Sequence, residues 1–309
     1  MQKENITFII ATFNEEKRIE YPLKNFVGYG KVLVVDNEST DKTREIARKY
    51  GATVIRHKNA GWTETEEQMK YTMSHVDTDW ICFAAADEII PKTCLDLYKK
   101  IAKEDKYRIV IQNKITVLYE GDADSIIAFI NIHFFKKGAL LFDKNIMHQR
   151  GRFAPDVKPS DILYLPPLPE YSVYHFSLYN TEKSLKTLNT YTNFHSQSVP
   201  RSFLVVRLII RPIWSFIEHY FFGRLFLLGT KGFISAVQFS LYYFFTYAKA
   251  YELQHNITLE NIERNFQKDK KKLLRSSPKS NIFQKLWANI VIFFVSKLHR
   301  WYKFKKSAP

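Results

Sequence analysis

The residues of this sequence best suited to chemistry fall in four short polar clusters, each directly after an apolar run. They are Thr12-Phe13-Asn14-Glu15, Asp36-Asn37-Glu38-Ser39, His57-Lys58-Asn59 and Asp87-Glu88. Phe13 offers a flat face for a ring, and Asp36 a carboxylate that accepts from a ring N–H. Asp87 and Glu88 are adjacent carboxylates, suited to a hard cation or to proton transfer.

Such clusters need a scaffold that gathers four chain segments at one rim. Residues 6–11, 31–36, 53–55 and 80–84 are short apolar runs and predict four strands. Helical stretches separate them: 15–26, a helix from Thr40-Asp41 to Gly51, and 62–75. Asp41 is the expected cap of the second helix, with Glu45 in its first turn. Pro91 suits the first turn of the next helix. Runs apolar on both faces, alternating with helices, predict a doubly wound α/β domain with a largely parallel sheet. Ligands bind such sheets at the carboxyl ends of the strands, so all four clusters belong to one rim. Residues 107–119, 129–135 and 139–142 predict further strands. The proline-rich stretch 150–169 is expected as a lid on the acceptor side of that rim.

Composition narrows the class. The 309 residues carry 46 Lys/Arg against 31 Asp/Glu, a net charge of +15, with 46% apolar residues. That is a globular composition and excludes wholesale disorder. The two cysteines, Cys82 and Cys94, exclude a disulfide framework and a four-cysteine zinc site, and they fit a reducing compartment. No secretory signal is expected at the amino terminus. Residues 201–309 hold 19 Lys/Arg against 5 Asp/Glu, a net +14, which leaves +1 for residues 1–200. A basic module attached to a neutral one argues against a nucleic-acid binder.

The chain turns helical after His175. Residues 203–217 are very apolar but carry Arg207, Arg211 and Pro212. Residues 232–248 hold no formal charge, slightly short of the roughly 20 apolar residues of a spanning helix. Residues 282–304 predict a mostly apolar helix with a narrow basic edge that includes Lys285, Arg300 and Lys303, suited to an anionic membrane surface. Whether this region spans the membrane or lies on it stays open.

Residues Ile10-Ala11-Thr12-Phe13-Asn14-Glu15-Glu16 and Val34-Val35-Asp36-Asn37-Glu38-Ser39-Thr40-Asp41-Lys42-Thr43 resemble the start of a family 2 glycosyltransferase. Tyr174-His175-Phe176-Ser177, Arg211-Pro212-Ile213-Trp214-Ser215-Phe216, Gly232-Phe233 and Tyr247-Ala248-Lys249-Ala250-Tyr251-Glu252 resemble its branch of inner-core hexosyltransferases for lipopolysaccharide and lipooligosaccharide. The resemblance covers the chain to about Glu252 and implies a GT-A fold over residues 1–180. A helical membrane-associating region (181–275) and a linker with an amphipathic helix (276–309) are expected to follow. It implies an inverting transfer of a sugar, a hexose, from a UDP-sugar to a glycan or lipid-linked acceptor. Thr12, Phe13, Asn14, Glu15, Asp36, Asn59 and Gln68 are the implied nucleotide-binding residues. The implied setting is the cytoplasmic face of a bacterial inner membrane, with the protein peripheral or monotopic and with no nucleic-acid partner.

Two departures from the family pattern stand out. Ala85 takes the place of the first carboxylate of the metal motif, which leaves Asp87, with Glu88 beside it. One Asp can suffice for Mg²⁺ or Mn²⁺, because phosphates and waters fill the rest of the shell. His175 matches a position that often completes this site, though a strand histidine also serves a core. Gln149 stands where the branch often has a Glu base, and an amide takes no proton. Base candidates are then His148, Asp156, Asp161 and Glu170. The Arg56 to Gly61 stretch either faces a diphosphate or closes a loop. These losses keep a non-catalytic or weakly active nucleotide-sugar-binding scaffold as the alternative.

Overall fold

The computed structural model describes residues 5–58, 65–118, 128–142, 151–178 and 180–306. The chain forms two compact units, Met1–Ala248 and Lys249–Pro309. The first unit begins β1 (Ile6–Thr12), α1 (Glu20–Phe26), β2 (Lys31–Asp36), α2 (Thr43–Lys49), β3 (Thr53–Arg56), α3 (Glu66–Ser74), β4 (Trp80–Ala85), β5 (Glu88–Ile89) and α4 (Lys92–Glu104). It continues through β6 (Ile109–Leu118), β7 (Ala128–Lys136), β8 (Leu140–Leu141), β9 (Arg152–Phe153), β10 (Ile162–Tyr164) and β11 (Val173–Leu178). Helices follow: α5 (Thr181–Ser198), α6 (Leu204–Ile217) and α7 (Gly229–Gln254), the last crossing into the second unit, which holds α8 (Leu259–Arg275) and α9 (Ile282–Lys306).

Nine of the described strands form one mixed sheet in the order β3-β2-β1-β4-β7-β6-β11-β5, with β10 beside β6. The first four strands are parallel, as their two-sided apolar runs require. β7 inserts antiparallel between β4 and β6, so the sheet is mixed rather than doubly wound throughout. Alternate residues of β1 feed opposite faces: Phe8 and Ile10 join one core cluster, Ile9 the other. On the first face Phe8 stacks on Phe26 of α1, and Phe134 is stacked between Trp80 and Tyr98 of α4. Fully burying each such ring stabilises the fold by about 1.5–3 kcal/mol.

Register fixes which end of the sheet is which. Thr12 pairs with Asp36, Asp36 with Arg56, and Ala11 with Ala85, so the carboxyl ends of β1 to β4 share one rim. The proline-rich stretch does not cover that rim. β10 pairs with Ile109–Ile111 at the start of β6, and that start pairs with the end of β7, next to the start of β4. Arg108 donates its backbone N–H to Asp161 and a guanidinium N–H to Asp156 Oδ2 at 2.9 Å. Asp156 and Asp161 therefore stand at the opposite end of the sheet. Arg108 holds the Asp156 carboxyl below its ordinary range. The expected lid is pinned there because Val157, Ile162, Leu163 and Leu165 pack into the two cores.

In the helical part, Leu225 and Ala236 are buried against Phe216, Tyr220, Leu228 and Phe239. A Cβ at Gly232 would lie 1.8 Å from the Leu225 carbonyl oxygen, so only glycine permits this approach. Along α6, Val205, Val206, Ile209, Ile210 and Ile213 are each more than half exposed. One helix among the described residues, within Leu225–Gln254, is long and apolar enough to cross a membrane.

Candidate active site

The rim is built from loop sutures. Asn14, at φ 54°, is in the left-handed region that asparagine tolerates better than most residues. Its backbone N–H donates to Ser39 Oγ at 2.9 Å, and its Oδ1 accepts from the Thr40 N–H at 2.8 Å. The Glu15 N–H donates to Thr43 Oγ1 at 2.7 Å and the Glu16 N–H to Asp41 Oδ2 at 3.1 Å. These bonds weld the β1 loop to the β2 loop and delay α1 to Glu20. Asp41 Oδ1 also accepts from the Thr43 N–H at the start of α2. Burial works against ionisation of Asp41, but the bonds from Thr43 and Glu16 hold its carboxyl below the usual range.

Asp36 is fully buried. Its Oδ2 accepts from the Ser39 N–H at 3.0 Å and from Arg44 Nη1 at 3.2 Å, and Thr12 Oγ1 lies 3.4 Å from Oδ1. Phe13, by contrast, is 38% exposed on the same rim. Gln68 is half-buried in the first turn of α3, where its N–H donates to the capping Thr65 Oγ1.

A second group sits where β4 ends. The turn at Ala86-Asp87 leads into β5, which pairs antiparallel with β11 and sets Glu88 opposite His175. The Phe176 N–H donates to the Asp87 carbonyl at 2.8 Å and secures the turn. Asp87 Oδ1 is then 3.6 Å from His175 Nε2. Arg18 donates from Nη1 to Asp87 Oδ2 at 3.1 Å. Its Nε and Nη2 grip the two carboxylate oxygens of Glu15 at 2.6 and 2.5 Å. Burial raises the Glu15 pKa, and this outweighs the opposing pull of Arg18. Burial, and then the cation of Lys114, push His175 below its ordinary value, against Asp87 and Glu88. A neutral imidazole is the form that ligates a metal, and both causes favour it.

Glu88 does not share the outlook of Asp87. It is fully buried, accepts from the Ala85 N–H at 2.9 Å and pairs with Lys114 Nζ at 2.6 Å. This carboxylate closes the turn that presents Asp87. The catalytic role expected of Glu88 meets a side chain directed into the protein. Glu170 is exposed in a short helical turn, Pro169–Tyr171, that packs on α4. Asn59 and His148 lie outside the described residues, as does Gln149.

Arg18, Arg44 and Lys114 were not expected at this site. Arg18 carried a signal, its i,i+3 spacing from Glu15. So did Lys114, the one cation in strand β6. Arg44 carried none, because the contact with Asp36 depends on how α2 leaves the loop.

Asp87 and His175 fit a divalent cation. Arg18 holds one oxygen of Asp87, which leaves Oδ1 facing His175 Nε2, an oxygen and a nitrogen that could hold such an ion between them. No group of three or more His, Cys, Asp or Glu converges for a metal among the described residues. A hard cation here would draw the rest of its shell from phosphates and water.

Residues 7–155 match the family model described as glycosyl transferase family 2. An uncharacterized glycosyltransferase of Rickettsia typhi is 30% identical over 294 residues, which span 90% of this chain and 98% of that protein. The lipopolysaccharide core biosynthesis glycosyltransferase LpsC of Rhizobium meliloti is 22% identical over 80% of this chain and 92% of its own. Among solved structures, a mannosyltransferase of Pyrobaculum calidifontis in complex with GDP-Man and Mn²⁺ superposes over 81% of this chain and 88% of its own, with 15% identity and a TM-score of 0.46.

Proposed function

This chain belongs to glycosyl transferase family 2, and on that premise we propose that it moves a hexose from a UDP-sugar to a glycan or lipid-linked acceptor at a membrane surface, with inversion. The observation that carries the reading is the row of strand ends at Thr12, Asp36 and Ala85, with Asp87 and His175 just beyond it. Phe13 stacks the uracil and Asp36 accepts from its N3–H. Because Ser39 and Arg44 close off Asp36, the base reaches it only when the Arg44 guanidinium moves aside. Asp87 and His175 would hold Mg²⁺ or Mn²⁺, which would supply positive charge beside the donor diphosphate. Glu88 positions Asp87 by fixing the turn before it. His148 and Glu170 remain the candidate bases, since Asp156 and Asp161 stand at the far end of the sheet.

A membrane-surface location is supported by the exposed apolar stripe of α6 and by the basic residues of α8 and α9. The likeness to LpsC favours a lipopolysaccharide-type acceptor. Titration with UDP in Mn²⁺ tests the reading: binding is expected in the wild type and lost in Asp36→Ala. No UDP binding by the wild type overturns it. The second reading, a scaffold that binds the donor without transfer, is favoured by Ala85 and Gln149. Tight UDP binding without turnover of any sugar donor would establish it.

A further inference from the structure

We propose that Arg18 is a donor-binding residue, the cation that meets the diphosphate of the nucleotide-sugar beside Asp87; this rests on the nucleotide-sugar reading above. Arg18 is held in one orientation. Its backbone N–H donates to the Glu15 carbonyl at 2.9 Å, and its Nε–Nη2 edge is gripped by both oxygens of the Glu15 carboxylate. A bidentate pair of this kind fixes the plane of the guanidinium. The remaining nitrogen, Nη1, is thereby aimed across the rim to Asp87 Oδ2 at 3.1 Å.

The charge arrangement says why a guanidinium belongs here. Glu88 is matched by Lys114 below the turn. Arg18 is left between two carboxylates, Glu15 and Asp87, each about 15% exposed, while its own side chain is 24% exposed. A diphosphate approaching Asp87 without that cation would meet two unmatched negative charges. The methyl group of Ala85 adds neither a carboxylate nor a metal ligand, so the resident cation carries more of the charge balance. A planar, delocalised guanidinium is the side chain suited to phosphate oxygens. Glu15, expected among the nucleotide-binding residues, becomes the residue that orients Arg18.

The alternative is that Arg18 only ties the β1 loop to the β4–β5 turn. The two roles separate by ligand. UDP affinity in Mn²⁺ is measured by calorimetry and uridine affinity by ligand-observed NMR, for wild type, Arg18→Gln and Arg18→Lys. Arg18→Gln should weaken UDP at least about tenfold and leave uridine within about twofold, with Arg18→Lys intermediate for UDP. Unchanged UDP affinity, or equal loss of UDP and uridine, overturns the proposal. If Arg18→Gln fails to fold, Arg18→Lys decides on the same two criteria. A wild type that binds no UDP overturns the donor reading and this role with it, whereas a failure confined to the Arg18 variants overturns this role alone.

Discussion

Asp87 Oδ1 lies 3.6 Å from His175 Nε2, although one residue ends the β4 side of the sheet and the other lies on β11. The antiparallel pairing of β5 with β11 sets that distance, with Glu88 opposite His175 and the Asp87 carbonyl bonded to the Phe176 N–H. If the pair is a metal site, His175→Ala should weaken Mn²⁺ binding in the presence of UDP by at least about tenfold, which is about 1.4 kcal/mol. Asp87→Ala should abolish transfer. Calorimetry and a sugar-transfer assay check the two variants, and unchanged turnover in Asp87→Ala would refute the assignment.

Glu88 is expected to matter for stability rather than for the donor. Its carboxylate is fully buried and satisfies both the Ala85 N–H and the Lys114 ammonium. Glu88→Ala leaves that ammonium, on a side chain 17% exposed, without its partner. The cost should be about 3 kcal/mol by urea unfolding. A midpoint equal to the wild type would contradict the buried pair.

Cys94 offers a pH test of the core. Burial pushes its thiol up to about 12 from an ordinary value of 9.0. A raised thiol pKa contributes stability that is complete below about pH 9 and is lost as pH rises toward the folded value. The native protein should therefore resist iodoacetamide at Cys94 at pH 8 and react there only in urea. Mass spectrometry reads this directly, and fast native labelling would mean that the face of α4 bearing Cys94 is open.

The basic carboxyl-terminal helix carries a membrane prediction. Leu286 and Trp287 of α9 are exposed beside Lys285. Deleting residues 282–309 should reduce flotation with anionic vesicles and leave UDP binding intact. Undiminished flotation would contradict a role for α9 and shift the anchor to residues 203–250, where the α6 stripe lies.

The first four strands were legible almost to the residue, because β-branched apolar runs bounded by turn residues state their own limits. The strand order was not. Nothing in the residues of β7 says that it inserts antiparallel between β4 and β6. That insertion decides where the chain goes next, and it explains why the proline-rich segment joins the start of β6 instead of covering the rim. At the site, residue types were legible and partners were not. Asp36, Asp87 and His175 were expected, while the guanidinium on each of the two aspartates emerged only from the packing of the loops. Glu88 was expected beside Asp87 at the site, but it begins β5 and its carboxylate is buried against the Ala85 N–H and Lys114, while Asp87 in the preceding turn is partly exposed.

The central claim is transfer from a nucleotide-sugar, and a donor screen tests it most directly. The protein is incubated with Mn²⁺, a lipid-linked or lipopolysaccharide acceptor and each of several UDP- and GDP-sugars, and released nucleotide diphosphate is measured. Release of UDP from a UDP-hexose, dependent on Asp87, is the predicted result. No release from any donor, by a protein that still binds UDP, would contradict the account and leave a donor-binding scaffold in its place.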